Sequence, residues 1–445
     1  MTGLNTSTIE YPSAPPAQPP KPVFVDGQQP PSRPDPFSLW GSHDPALFRD
    51  PVTGLYYTYC TGAIARRSAD LITWETIGKM VEQPPKESSD WVGDTGIWAP
   101  DIIKVGDEYR LYCSNSTWGV RQSAIFLAVA DNAEGPFEPR GIVLKTSHAS
   151  PVNAIDANLV VEEETGDHYM AYGSFWGGMH IIKLDKETGL AAEEGIGVCI
   201  ARRPKWADGA IEGPYIRFNP DTGYYYLFVS YGSLKSDYNI RVGRSRGLLG
   251  PYLDPNGRDM NVVDDDRNEI GLMIAGGYRF GDGQGYMGPG HNSVLRDEDN
   301  AWYLACHIRE HDFSGPQIAT MHVHRILWTP DDWPLLNPQR YAGEKIQPID
   351  RASIAGEYER IKLTPLVPQA VLNSVPMTLF ADGRFECCSI VGQWEQTGET
   401  AIAISYGNIV ETCLLTPAWD WHRNKPTLAL TGLDQRGVAV WASKI

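Results

Sequence analysis

The sequence predicts an all-β protein: a five-bladed β-propeller followed by a small C-terminal β-barrel or sandwich. Three observations predict it. The 445 residues carry 14 Trp, 21 Tyr and 44 Gly, a load of rings and turn formers that suits strands and turns. Helical 3.6 periodicity is scarce, while short aromatic and β-branched runs alternate with Gly/Asp/Pro turns. One pattern recurs five times: Tyr56-Tyr-Thr-Tyr-Cys60, Tyr109-Arg-Leu-Tyr-Cys113, Tyr169-Met-Ala-Tyr-Gly173, Tyr225-Tyr-Leu-Phe-Val229 and Trp302-Tyr-Leu-Ala-Cys306.

Residues 1–36 hold ten of the 34 prolines. Proline removes backbone donors and favours extended chain, so this stretch reads as an arm, surface-lying or disordered, with no chemistry of its own. Residues 37–350 carry the repeats, whose starts are 53, 60, 56 and 77 residues apart. That spacing leaves room for four strands per repeat, the architecture of a propeller blade. Upstream of each repeat, beyond a turn, stands a polar cluster: His43-Asp44-Pro45, Trp98-Ala99-Pro100-Asp101, Ile155-Asp156-Ala157-Asn158, Ile211-Glu212-Gly213-Pro214 and Gly290-His291-Asn292-Ser293. The first strand of a blade lines the central axis. One acid or His at the same place in every repeat therefore converges on one end of the channel. Repeated acids can also cap turns or hold blades together. Five in phase, four of them acidic, favour a site, because convergent carboxylates repel and lose solvation. In residues 351–445 the blade pattern stops. After a linker, short strands such as Met377-Thr-Leu-Phe380, Ala401-Ile-Ala-Ile-Ser405 and Gly437-Val-Ala-Val-Trp441 predict a small antiparallel barrel or sandwich over 364–445.

Net charge is −17, from 38 Lys+Arg against 55 Asp+Glu. A nucleic-acid or anionic-membrane partner calls for the opposite sign. No run of about 18 apolar residues appears, so no membrane span is expected. The N-terminus lacks a basic and then apolar leader pattern, which predicts a cytoplasmic protein as the sequence stands, or a secreted one if a leader has been removed. Seven cysteines, an odd count without a CxxC pair, predict buried reduced thiols rather than a disulfide framework or zinc ribbon.

Glycoside hydrolysis needs one carboxylate to activate water or attack the sugar and one carboxylic acid to protonate the leaving oxygen. Asp44, Asp156 and Glu212 supply that set with one to spare. A third carboxylate holds the acid protonated by like-charge repulsion. Apolar and aromatic neighbours around Glu212-Gly213-Pro214-Tyr215 suit a general acid. Trp91, Trp98, Trp118, Phe175 and Trp176 read either as platforms for sugar rings or as core between blades; Ser174-Phe175-Trp176-Gly177-Gly178 is the strongest platform because its glycines leave the rings less covered. His291, among carboxylates, either holds a hydrated cation, tunes the acids, or is a hydrogen-bonded core residue. The sequence has no HExxH, GxSxG or P-loop pattern, and Asp264-Asp265-Asp266 reads as a solvated acidic turn.

At these clusters the chain resembles glycoside hydrolase family 43, and within it the arabinan endo-1,5-α-L-arabinanases. The matching pieces are His43-Asp44-Pro45, Trp98 to Ile102, Asn153 to Ala157, Gly173 to Gly178, Ile211 to Tyr215 and Gly290 to Ser293, covering about residues 37–345. The resemblance implies an inverting mechanism with Asp44 as general base, Glu212 as general acid and Asp156 tuning and orienting that acid. It implies a substrate cleft lined by Asn153, Ala154, Ile155, Asp156, Ser174, Phe175 and Trp176, with Gly119, and arabinan or arabino-oligosaccharide as substrate. It also implies that His291 binds calcium or a similar ion, mostly through waters, at the propeller centre. The tail resembles the extra domain of longer bacterial arabinanases. The stretch from Gly257 to Gly285 reads as a long loop that closes one end of the cleft, which favours exo over endo action. Alternatives are the same fold acting on xylan side chains or xylo-oligosaccharides, and a non-catalytic sugar-binding propeller; the presence of all three acids favours an enzyme.

Overall fold

The computed structural model describes residues 9–22, 35–234, 236–263, 269–311, 318–365 and 371–445. It is an all-β chain with five radial sheets and a closed barrel. Blade one runs Ala46–Arg49, Tyr56–Cys60, Ile64–Ser68, Glu75–Lys79. Blades two, three and four repeat that consecutive antiparallel order, starting at Trp98–Val105, Asn158–Val161 and Ile211–Asn219. Blade five is built on Tyr286–Arg296, Trp302–Glu310, Thr320–Trp328 and Pro334–Leu336. The recurrent aromatic pattern is the second strand of every blade. A middle strand packs on neighbouring blades through both faces, which is why Tyr57, Tyr59, Leu111, Cys113, Tyr172, Leu227 and Leu304 are all buried.

The first strands surround the axis, and adjacent ones are pinned by a side chain of one receiving a backbone N–H of the next. Asp101 Oδ2 accepts from Leu159 N at 2.7 Å, Asn158 Oδ1 from Ile216 N at 2.8 Å, and Ser293 Oγ from Leu47 N at 2.8 Å. The Ser293 bond closes the seam between blades five and one, which share no strand. Apolar contacts of Leu47, Trp74, Leu295 and Tyr303 fill that seam.

The barrel closes in the order Gly356–Leu363, Val375–Leu379, Arg384–Cys387, Ile390–Gln396, Ala401–Tyr406, Ile409–Asp420, Lys425–Asp434, Ala439–Lys444. Its first strand therefore precedes residue 364, where the sequence pattern placed the start. The chain then returns to the propeller, where Leu372–Asn373 pairs in parallel with Tyr278–Arg279 at the edge of blade five, before the barrel resumes. The two units share one apolar core: Trp441, Ile361 and Leu363 pack with Tyr278, Phe280 and Leu272. Residues 9–22 of the arm lie along the surface, with Lys21 paired to Glu310 at 3.1 Å and Glu10 N bonded to Gln347 Oε1 at 2.8 Å.

The stretch from Gly257 to Gly285 is not a lid in its described residues. It supplies the outer strand of blade four, Leu272–Ala275, and the edge pair Tyr278–Arg279. Its apolar residues Leu272, Ile274 and Tyr278 pack into the core that blades four and five share with the barrel instead of facing a cleft, so among the described residues the expectation of a closed end loses its support. The Asp264 to Asp266 turn lies outside the described residues. All seven cysteines are free, five of them buried, as expected for reduced thiols. No described helix is long and apolar enough to cross a membrane.

Candidate active site

At one mouth of the axis each blade has, in or just before its first strand, a residue in left-handed backbone conformation: Asp44 (φ 52°), Ala99 (φ 37°), Asp156 (φ 61°), Gly213 (φ 58°) and His291 (φ 44°). Non-glycine residues rarely adopt this region, and four of them in phase with a glycine mark a feature held by its surroundings. The twist turns the Asp44, Asp156 and His291 side chains towards the mouth. In blade two the same place is Ala99. Asp101, counted with the convergent acids from the sequence, is two residues farther along. Its carboxylate points sideways to Leu159 N and to Asn158 Nδ2 at 3.0 Å, joining blades two and three. Burial pushes Asp101 up to about 7 even against those bonds. In blade four the acid is Glu212, one residue ahead of the turn, because Gly213 takes the twisted position; a Cβ there would press on the His291 ring.

A second ring holds the first. The residue that directly follows each aromatic repeat is Thr61, Ser114, Ser174, Ser230 or His307. Thr61 Oγ1 donates to Asp44 Oδ2 at 2.6 Å. Ser114 Oγ accepts from Asp156 N at 2.9 Å, and Ser230 Oγ from His291 N at 2.7 Å. Ser174 Oγ donates to Glu212 Oε2 at 2.9 Å, and His307 Nδ1 accepts from Asp44 N at 3.3 Å. Of these five only Ser174 was singled out from the sequence.

Asp44 and Asp156 have opposite proton preferences. Burial alone would push the Asp44 carboxyl up. Instead His291 Nδ1 at 3.1 Å, His43 Nδ1 at 2.9 Å and His307 Nδ1 at 3.3 Å hold it well below the usual carboxylate range. Asp44 is therefore ionised, the state a base needs. His307 Nδ1 is within reach of both the Asp44 amide and Oδ1 but serves one at a time, so a lone pair of Oδ1 can be left for water. Asp156 behaves in the contrary way: burial, then the neighbouring Glu212 and Asp44 charges, raise it well above the carboxylate range, opposed only by the Gly213 N–H at 3.3 Å. Asp156 is therefore the acid that stays protonated. Glu212 is the more open of the two, held by Ser174 through Oε2 and by the Tyr238 hydroxyl through Oε1 at 2.7 Å.

Sign follows from that burial. Asp156 binds its proton more tightly folded than unfolded, so its contribution to stability falls as pH rises from the unfolded carboxyl value through the raised folded one. Asp156→Asn keeps the Gly213 bond and needs no proton. It is expected to raise Tm over the wild type by about 1–3 °C, with the gap widening from pH 4 to pH 8, while activity drops. Parallel calorimetric melts across that range check this; a gap that narrows with pH would refute it.

The cleft residues fall into two groups. Phe175 and Trp176 stand on a loop clamped to blade four by Ser174 pairing with Glu212 and by Phe175 N bonded to Ile211 O at 2.7 Å. Gly173, Gly177 and Gly178 pass so close to neighbouring backbone that a Cβ would collide with Gly178 O, Pro151 O and Ala201 O. Trp176 is 43% exposed and Trp118, next to the exposed Gly119, is 76% exposed. Trp91 and Trp98 are half-buried. Asn153, Ala154 and Ile155 are buried; Asn153 Oδ1 accepts from Ser123 Oγ at 2.7 Å, which makes this segment the floor behind Asp156. Just below the acids a small axial cavity of about 10 Å³ is bordered by Asp44, Gly213, His291 and Asn292, and both polar side-chain atoms of the buried Asn292 lack a protein partner. A far larger cavity, about 520 Å³, opens at the opposite end of the axis among Leu47, Ile103, Leu159, Arg217 and Arg296. The convergent acids are not there, and convergence of groups outweighs size in locating chemistry.

An ionised Asp44, a protonated Asp156 and the more open Glu212 at the mouth of a propeller are the groups of an acid–base hydrolase. The chain belongs to the glycosyl hydrolases family 43, whose family model matches residues 35–334; a C-terminal lipocalin-like domain model matches residues 338–442. It is similar to an extracellular endo-alpha-(1->5)-L-arabinanase of Thermotoga petrophila, 30% identical and covering 91% of this chain and 93% of that protein. It is also similar to the extracellular endo-alpha-(1->5)-L-arabinanase 2 of Bacillus subtilis, 31% identical over 90% and 92%. Among solved structures, a family 43 glycoside hydrolase of Bacillus licheniformis superposes with a TM-score of 0.83 at 29% identity, covering 96% of this chain and all of the other.

Proposed function

We propose that this chain hydrolyses α-1,5-L-arabinofuranosidic bonds of arabinan and arabino-oligosaccharides by single-step inverting displacement. One observation carries the reading: at the mouth, Asp44 is held ionised by three imidazoles while the deeper Asp156 stays protonated, with the more open Glu212 beside it. Asp44 takes a proton from water as that water attacks the anomeric carbon. Glu212 gives its proton to the departing glycosidic oxygen, which keeps the electron pair of the broken bond. Asp156, deeper and uncharged, orients Glu212 by holding the next residue, accepting from the Gly213 N–H at 3.3 Å. The names of the relatives support arabinan as the polymer, and their description as extracellular supports action outside the cell. The exposed Trp118 and Trp176 rims, with no lid in the described part of 257–285, support endo action on a long chain.

A cation such as calcium at the propeller centre belongs to the same reading. The His291 ring and the unpartnered Asn292 amide border the axial cavity and fit a mainly water-coordinated ion. The cavity itself has room for about one water-sized particle, so the remaining waters would come from the cleft above. A bound cation supplies positive charge that offsets repulsion among the three carboxyls.

The test is a panel of linear arabinan, debranched arabinan and xylan, with product sizes and NMR of the first product, run before and after chelator treatment and elemental analysis. Mixed oligosaccharides of inverted configuration are expected from linear arabinan. Release of one uniform short product would assign exo action; turnover of xylan alone would replace the substrate. Retained configuration would make Asp44 a nucleophile, since retaining carboxyls sit only about 5–5.5 Å apart against about 6.5–9.5 Å in inverting pairs. A metal-free protein indifferent to chelator would remove the ion.

A further inference from the structure

Tyr238 precedes the third strand of blade four, Asn239–Ser245, and is fully buried. Its hydroxyl donates to Glu212 Oε1 at 2.7 Å. The ring itself is fixed on both faces. It stacks on His307 with centroids 5.6 Å apart and planes 6° from parallel, and His307 stacks on His43 at 4.3 Å and 8°. On the other side it fills the space where any side chain at Gly290 would stand. The glycine ahead of His291 is thereby explained by Tyr238.

We infer that Tyr238 is a positioning residue for the proton donor: its hydroxyl, bonded to Glu212 Oε1, orients the carboxyl and supports the carboxylate formed when the proton departs. The inference rests on Glu212 being the general acid. In the step, the carboxyl O–H bond breaks, the proton passes to the glycosidic oxygen as that oxygen leaves with the bonding pair, and Glu212 becomes anionic. Tyr238 keeps its own proton throughout. Its bond to Oε1 changes from neutral to charge-assisted, which is the stronger kind. Its help is therefore realised only where the acid delivers a proton, as in differential binding of a transition state.

Leaving-group dependence separates this from a merely structural role. Tyr238→Phe keeps the ring, its stack on His307 and its cover of Gly290. On linear arabinan its kcat is expected to fall about ten- to a hundredfold, the worth of one hydrogen bond to a charged group. On 4-nitrophenyl α-1,5-L-arabinotrioside, whose leaving group needs no proton, the loss is expected to stay within about threefold, with KM little changed on both. If the Tyr238 variant melts early, the same two-substrate ratio measured below its melting transition carries the test. Equal losses on the two substrates, or none, would overturn the inference. Glu212→Ala is run alongside: if it shows no leaving-group dependence, the assignment of the acid fails, whereas dependence in Glu212→Ala without it in Tyr238→Phe removes only the role of Tyr238.

Discussion

Glu212→Ala is expected to lose about 10²–10⁴-fold of kcat on linear arabinan, the usual contribution of a positioned general acid. The same variant should keep most of its turnover on an aryl arabino-oligosaccharide, because nitrophenolate departs without protonation. The site explains why the loss is large. Asp156 is too deep to deliver a proton to a glycosidic oxygen in the cleft and is held by Ser114 and Gly213, so it cannot substitute for the missing carboxyl. Full activity on the polymer, or equal losses on polymer and aryl substrate, would take Glu212 out of the proton-donating role.

Much of the frame was legible because a blade is a local unit. The aromatic repeat codes a strand buried on both faces, and its recurrence counts the blades without any long-range information. The polar clusters were legible for the same reason, as heads of the strand before each repeat. What sequence phase could not convey was direction. Asp101 lies in a cluster that looks equivalent to Asp44, but the left-handed residue of its blade is Ala99, and two further steps along the strand turn Asp101 towards a neighbour. Its role as a link between blades is the one repeated acids so often have. The second ring did leave a signal that was overlooked: the position after each repeat is Thr, Ser, Ser, Ser or His, four small hydroxyls and one imidazole at a fixed offset. Tyr238 left none, since it is one of 21 tyrosines, lies outside the aromatic repeat, and only the fold sets its hydroxyl against Glu212. The barrel was legible in its later strands. Its first strand, Gly356–Leu363, was hidden because the chain leaves for blade five and returns before the pattern is re-established.

Asp44→Ala is expected to lose as much turnover on the polymer as Glu212→Ala, and to lose it on the aryl substrate as well. A better leaving group does nothing for an unactivated water, so the two variants differ in kind. Asp44 is well suited to its task electrostatically. Burial works against its charge, yet His291, His43 and His307 reverse the balance and hold it well below the ordinary carboxylate range. A base must be ionised to work, so activity is lost as pH falls through its pKa, and a lowered pKa places that limb on the acidic side of an ordinary Asp. His43→Ala removes one of the three imidazoles and the partner of Oδ2 at 2.9 Å, while Thr61 still donates to that oxygen at 2.6 Å. The acidic limb of kcat/KM should therefore move to higher pH in His43→Ala, with a smaller change on the plateau than in any Asp44 variant. A pH profile of the two proteins on linear arabinan decides it. An unmoved limb would mean that the acidic side reports some other group. Rescue of Asp44→Ala by a small external anion such as azide, with inverted glycosyl azide as product, would locate the missing group on the water side of the sugar; rescue by leaving-group activation alone would put Asp44 on the other side and exchange the two roles.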